Sequence, residues 1–154
     1  LGPNDLGANP AAPVPLGQTA VTQHWQITLL ESVRGGPAFN LLKERHENNQ
    51  APEAGMEYIA FRARLINNSK QEQAFWINSS HFASRDAIGK VYEAGSIYTD
   101  FGKGGNWLQG GLLPGGEMDG WGFIQTPVSE PDPLLIFAPD GLNSAELVYL
   151  ALHP

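Results

Sequence analysis

Cysteine is absent from the 154 residues, which excludes disulfides, thiol nucleophiles and thiolate metal sites but leaves the compartment open. Charge is scarce as well: 16% of residues are charged, against ~25% in an average soluble protein. The nine Lys and Arg are scattered, and the net charge is −7. Sequence-independent phosphate binding therefore has no electrostatic footing, and no nucleic-acid partner is expected. The same shortage argues against charge-driven docking on anionic lipid. Long apolar runs are missing too. No stretch approaches the ~18 residues that span a bilayer, and no basic flank precedes an apolar segment as in a signal peptide. The chain as it stands is expected to be soluble. It begins at Leu1 and not Met, so an upstream leader or anchor is the one membrane link compatible with it.

What the chain does have is apolar residues (42%), 18 glycines and 12 prolines. That balance suits short strands joined by many turns, and the length suits one domain with one core. Residues 1–17, with four Pro and three Gly, read as an N-terminal extension. Residues 18–154 read as the domain. No Asp, Glu, Lys or Arg occurs between Asp5 and Glu31, which fits a segment lying against protein better than a solvated tether. Pro13, Val14, Pro15 and Leu16 can run along a sheet edge, where the missing proline N–H is harmless. They are expected to dock on this domain or, slightly favoured, on a neighbouring subunit.

Alternation marks the strands. Trp25, Ile27 and Leu29 share one face of the segment His24 to Ser32. From Glu57 to Asn67, Ile59, Phe61, Ala63 and Leu65 point one way while Arg62 and Arg64 point the other, so one face is core and one is wet. Pro37 at a plausible first turn, followed by Phe39 and Leu42, predicts one short helix over about residues 37–47. Further strands are expected around Ala74 to Ile77, His81 to Ser84, Val91 and Tyr92, Gly120 to Thr126, Leu134 to Ala138 and Ala145 to Leu152. The last of these is apolar on both faces and reads as a covered strand. Nine glycines between Gly102 and Gly122 read as loop.

The order strand, Arg34-Gly35, short helix, Asn48-Asn49, Pro52, Gly55, Glu57-Tyr58-Ile59 and Ile66-Asn67-Asn68-Ser69 resembles a bacterial family of secreted and lipoprotein domains of unknown function. The hairpin Asp86 to Tyr92, the turn Leu113-Pro114-Gly115-Gly116, and Gly120-Trp121 followed by Ile124-Gln125-Thr126-Pro127 resemble its second half. The resemblance runs from about Thr22 to Leu152. It implies an immunoglobulin-like two-sheet sandwich outside the cytoplasm and supplies no catalytic residues. Members sometimes carry a telomeric repeat-binding factor name, which the acidic charge argues against taking literally.

Candidate chemistry is thin. Ser79-Ser80-His81 lacks a nucleophile elbow, and strand neighbours point to opposite faces. Glu117 and Asp119 would share one strand face, the minimum for paired-carboxylate hydrolysis, but solvated edges look the same. His24, His46, His81 and His153 show no ligand spacing for zinc. Asp86 to Lys90 offers one carboxylate and a repelling lysine, so it reads as a turn and not a calcium loop. Asn67-Asn68-Ser69 and Asn78-Ser79-Ser80 match the glycosylation pattern and read as surface turns. No cofactor or metal is expected.

Aromatic residues carry the binding expectation. With Ile124 facing the core, Trp121 and Phe123 project from the other face of the same strand, and Trp107, Tyr98 and Phe101 lie in the loops before it. These five are the candidate interaction surface, unless the helix or the glycine-rich loop covers them. The chain is thus expected to be an all-β, non-catalytic module that makes protein–protein contacts, or self-associates, as a structural or accessory subunit of a cell-envelope assembly. A glycan platform built on Trp107, Trp121 and Tyr98 is the alternative.

Overall fold

The computed structural model describes residues 2, 5–70, 73–95, 97, 106–144 and 146–154. Tyr98 and Phe101 lie outside the described residues. The chain forms a two-sheet β-sandwich with one helix, as its alternation and turn content predict. One sheet has the order β1 (Thr19–Val21), β2 (Trp25–Arg34), β3 (Met56–Asn67), β8 (Glu117–Pro127). The other has the order β10 (Val148–Ala151), β9 (Leu134–Phe137), β5 (Phe82–Arg85), β6 (Val91–Tyr92). β4 (Phe75–Ile77) and β7 (Gly110–Leu112) form a separate two-stranded ribbon whose inner side chains join the main core. All of these strand pairs are antiparallel.

The core lies between the sheets and is set by the alternation in β2 and β3. Trp25, Ile27 and Leu29 from β2 and Ile59, Phe61, Ala63 and Leu65 from β3 are buried against Phe82, Leu135, Phe137, Val148 and Leu150 from the opposite sheet. Phe82 joins the layers, its ring 5.1 Å from that of Phe61 and 5.3 Å from that of Phe137. Gly122 pairs with Phe61 across β3 and β8, and the Phe61 ring occupies the place a Cβ would take.

The outer face of β3 is only half wet. Helix α1 (Gly36–Arg45) lies over it, with Pro37 in its first turn and Lys43 and Arg45 in its last turn, where they suit the helix dipole. Its buried face is Ala38, Leu42 and Arg45, spaced i, i+4 and i+7. It packs on Tyr58, Ala60 and Phe123 to make a second, smaller core. Asn49 is buried and donates from Nδ2 to the Leu42 carbonyl, which also accepts the His46 N–H at the helix end.

The N-terminal residues belong to the sandwich. Val14 is buried in the main core and forms a parallel bridge with Leu150. The Val14 N–H donates to the Tyr149 carbonyl, Ala151 N–H to that of Val14, and Tyr149 N–H to that of Gly7. Leu16 packs against the same core, Pro13 is half-buried and Pro15 is exposed. The segment therefore docks in cis along β10 of its own domain, the first of the two placements expected. The physical reason is the open edge of β10, whose unpaired N–H and C=O groups lie within reach. On the last strand Val148 and Leu150 face the core while Tyr149 and Ala151, on the other face, are half-buried.

Candidate functional site

Three of the five residues expected to form an exposed aromatic surface, Trp107, Trp121 and Phe123, are gathered around a cation instead. Phe123 is 1% exposed and Trp107 is 8% exposed. Trp121 is half-buried. The buried Arg45 guanidinium sits over all three rings, 5.5 Å from the centroid of Trp107 and 5.9 Å from those of Trp121 and Phe123. Its Nη1 donates to the Leu41 carbonyl. Burial lowers the Arg45 pKa from its ordinary value, with Glu44 opposing the shift. Trp107 and Phe123 are thus corrected from surface to second core. The helix that the sequence does reveal is what covers them, and Arg45 in its last turn supplies the packing through cation–π contact and its aliphatic stem.

Trp107 reaches this place because residues 106–108 run along the free edge of β8. Leu108 N–H donates to the Trp121 carbonyl and Trp121 N–H to that of Asn106. Gly120 permits the approach, since a Cβ there would stand 2.6 Å from the Trp107 carbonyl carbon.

Glu117 and Asp119 do share a face, but arginines from β3 hold them. Arg64 donates to Glu117 at 2.9 Å, and Arg62 bridges Glu31 at 2.9 Å and Asp119 at 3.2 Å. Asp86 is engaged in its own turn: its carboxylate accepts from the N–H groups of Ile88 and Lys90 and from the Tyr92 hydroxyl. Burial would raise its pKa, yet these hydrogen bonds, with one from Gly89, hold it below the ordinary carboxylate value. His81 Nδ1 accepts the Asn78 N–H, and burial lowers its pKa. Asn67, read as a surface turn, is buried; its Nδ2 donates to the Leu112 carbonyl and its Oδ1 accepts from Ser69 N–H, anchoring the ribbon to β3. Among the described residues, no three His, Cys, Asp or Glu side chains converge on a metal position.

The exposed aromatic residue is one the sequence reading left inside a strand. Phe75 and Ile77 turn inward, Phe75 packing edge-on against Trp25 at 5.0 Å and Ile77 buried in the core. Trp76 between them points outward and is 69% exposed. It pairs with Gly111, and its indole lies over that glycine: a Cβ at 111 would meet ring atoms at 3.1–3.4 Å. Leu113, two residues further along the partner strand, is 61% exposed. The outer face of the ribbon carries Trp76 on one strand and Gly111 on the other, flanked by exposed Ala74, Asn78 and Leu113 and half-buried Gln109. Asn78 and Gln109 also line a half-open cavity of about 110 Å³ with Ser79, Ile97, Trp107 and Trp121. The Trp107 indole N–H has no hydrogen-bond partner there or elsewhere among the described residues. The signal for this face was available: three consecutive apolar residues in a short strand of alternating orientation cannot all be buried from one side.

No family model matches this chain, and no curated protein matches its sequence. Solved structures do share its fold. The yjhA protein from Bacillus subtilis matches with a TM-score of 0.52 at 16% identity, covering 89% of this chain and 98% of that one. An uncharacterized β-sandwich protein from Clostridium difficile matches at 0.50 and 15% identity, covering 91% and 94%. A secreted protein from Mycobacterium tuberculosis, MPT63, matches at 0.50 and 14% identity, covering 94% and 99%.

Proposed function

We propose that this chain is a non-catalytic binding module that works outside the cytoplasm, as a structural or accessory subunit of a cell-envelope or surface assembly. Its contact surface is the outer face of the β4–β7 ribbon. The observation that carries the reading is Trp76, 69% exposed on a domain that buries Trp25 and Trp107 and half-buries Trp121. Tryptophan is the residue most enriched at binding hot spots, because it brings large contact area at small entropy cost. The extracytoplasmic setting is supported by the likeness to a secreted protein of the same fold. No helix of the described residues is long and apolar enough to cross a membrane. The non-catalytic reading is supported by the engagement of the candidate groups. Glu117 and Asp119 are ion-paired to Arg64 and Arg62, and Ser80 and His81 are spent on capping a single 3-10 turn with Asn78.

Co-sedimentation with a pelleted bacterial cell-envelope fraction tests this reading. Saturable partition should be lost in Trp76→Ala and reduced in Leu113→Ser, both with unchanged melting temperature. Equal partition of wild type and Trp76→Ala would remove the ribbon as the contact surface.

A further inference from the structure

Resting on the assignment of the ribbon's outer face as the contact surface, we infer that its ligand is a neutral oligosaccharide, with one sugar ring stacked on the Trp76 indole. The first argument is shape. One face of the indole is closed by Gly111, and the high exposure leaves the other open to solvent. A flat aromatic face supported from beneath by a glycine backbone takes the apolar face of a pyranose without any rearrangement.

The second argument is size. Two strands of three residues, at ~3.4 Å per residue and ~4.8 Å between strands, present an apolar face roughly 10 Å on each side. That matches one or two sugar rings and falls far short of the ~800 Å² per partner of a standard protein interface. The third argument is chemistry. None of the described residues on this face is charged, so none of them offers a counter-ion to an acidic glycan or a lipid headgroup. Beside the indole are the donors and acceptors that hydroxyl groups need. Gln109 makes no hydrogen bond among the described residues. The Asn78 Oδ1 accepts from Ser80 while its Nδ2 remains available. Both residues flank the last ribbon pair, Ile77 with Gly110, and both line the 110 Å³ cavity. An exocyclic group of the stacked ring can enter there, where the Trp107 and Trp121 side chains form part of the lining.

The probes are immobilised and soluble neutral oligomers of glucose, mannose, xylose and N-acetylglucosamine, with polygalacturonate and heparin as acidic controls, followed by calorimetric titration of the strongest series. At least one neutral series should bind saturably, with affinity levelling off at two or three rings and insensitive to salt. Trp76→Ala should weaken binding roughly tenfold or more, Trp76→Phe less, and Gln109→Ala a few-fold. Gly111→Ala keeps the indole but lifts it from its seat, and should also weaken binding. Absence of binding to every neutral series, or binding that Trp76→Ala leaves unchanged, overturns the inference. If no oligosaccharide binds while Trp76-dependent envelope partition persists, the ligand is a protein and the contact surface stands. If neither depends on Trp76, both readings fall.

Discussion

A methyl group added at Gly122 should destabilise the domain, and removing the Phe61 ring should cancel that penalty. The two residues pair directly across β3 and β8, and a Cβ at 122 would stand 2.4 Å from the ring tip and 2.9–3.0 Å from its edge carbons. The ring has no free direction: Phe61 is fully buried, with Phe82 5.1 Å away. Overpacking of this kind costs about 1–3 kcal/mol. Against it stands the loss of chain entropy in the unfolded state, which favours alanine by about 0.4–1 kcal/mol. Gly122 is not among the positive-φ glycines, so no backbone strain enters. The steric cost wins, and Gly122→Ala should destabilise by about 1–2 kcal/mol. Phe61→Ala alone should cost about 3–5 kcal/mol. In the Phe61→Ala background the new methyl enters a void, so Gly122→Ala becomes neutral or stabilising, and the cycle gives a coupling of about 1–3 kcal/mol. Urea unfolding followed by circular dichroism at constant m reads all four variants. Additivity within about 0.5 kcal/mol, or stabilisation by Gly122→Ala alone, would refute the packing argument.

Arg62→Ala, one residue from Phe61 but held only by exposed ion pairs to Glu31 and Asp119, should cost no more than about 1 kcal/mol in the same assay. Deleting residues 1–17 removes Val14 from the core and uncovers β10, so the truncated chain should melt lower and self-associate more in sedimentation. Less association than the full chain would restore the docking-in-trans expectation. His81 titrates below its ordinary value in the folded state, so the unfolded chain binds its proton first. Its contribution is complete above about pH 6.5 and is lost as pH falls toward the folded pKa. Thermal melts from pH 7.5 to 5 should show this loss, and His81→Gln should flatten it.

The inter-sheet core was legible because β2 and β3 alternate cleanly; every apolar residue assigned inward there is buried. Strand order was not legible, since β1, β7 and the 106–108 edge segment are too short to show a period. The second core was half legible. Pro37 and Leu42 reveal the helix, but nothing in the spacing of Arg45 says that a guanidinium will close over Trp107, Trp121 and Phe123. The alternation around Ile124 put Trp121 and Phe123 on the correct face of their strand, but did not show what covers that face. The N-terminal segment was recognised as lying on protein from its missing charge, whereas the choice between its own β10 and a neighbour's is a question of reach that composition does not carry. Trp76 was overlooked because flanking Phe75 and Ile77 make the strand look wholly buried, and only the two-stranded ribbon leaves one side of it uncovered.

The four tryptophans offer a direct test of where the chain binds. In a ¹H–¹⁵N spectrum, their indole N–H resonances can be assigned one at a time by Trp→Phe substitution and followed as the bound oligosaccharide or envelope component is added. The account predicts that the Trp76 resonance moves with saturation while that of the buried Trp25 stays in place. A titration that moves Trp107 and Trp121 and leaves Trp76 unmoved would put the ligand on the helix-covered cluster and contradict the ribbon as the binding surface.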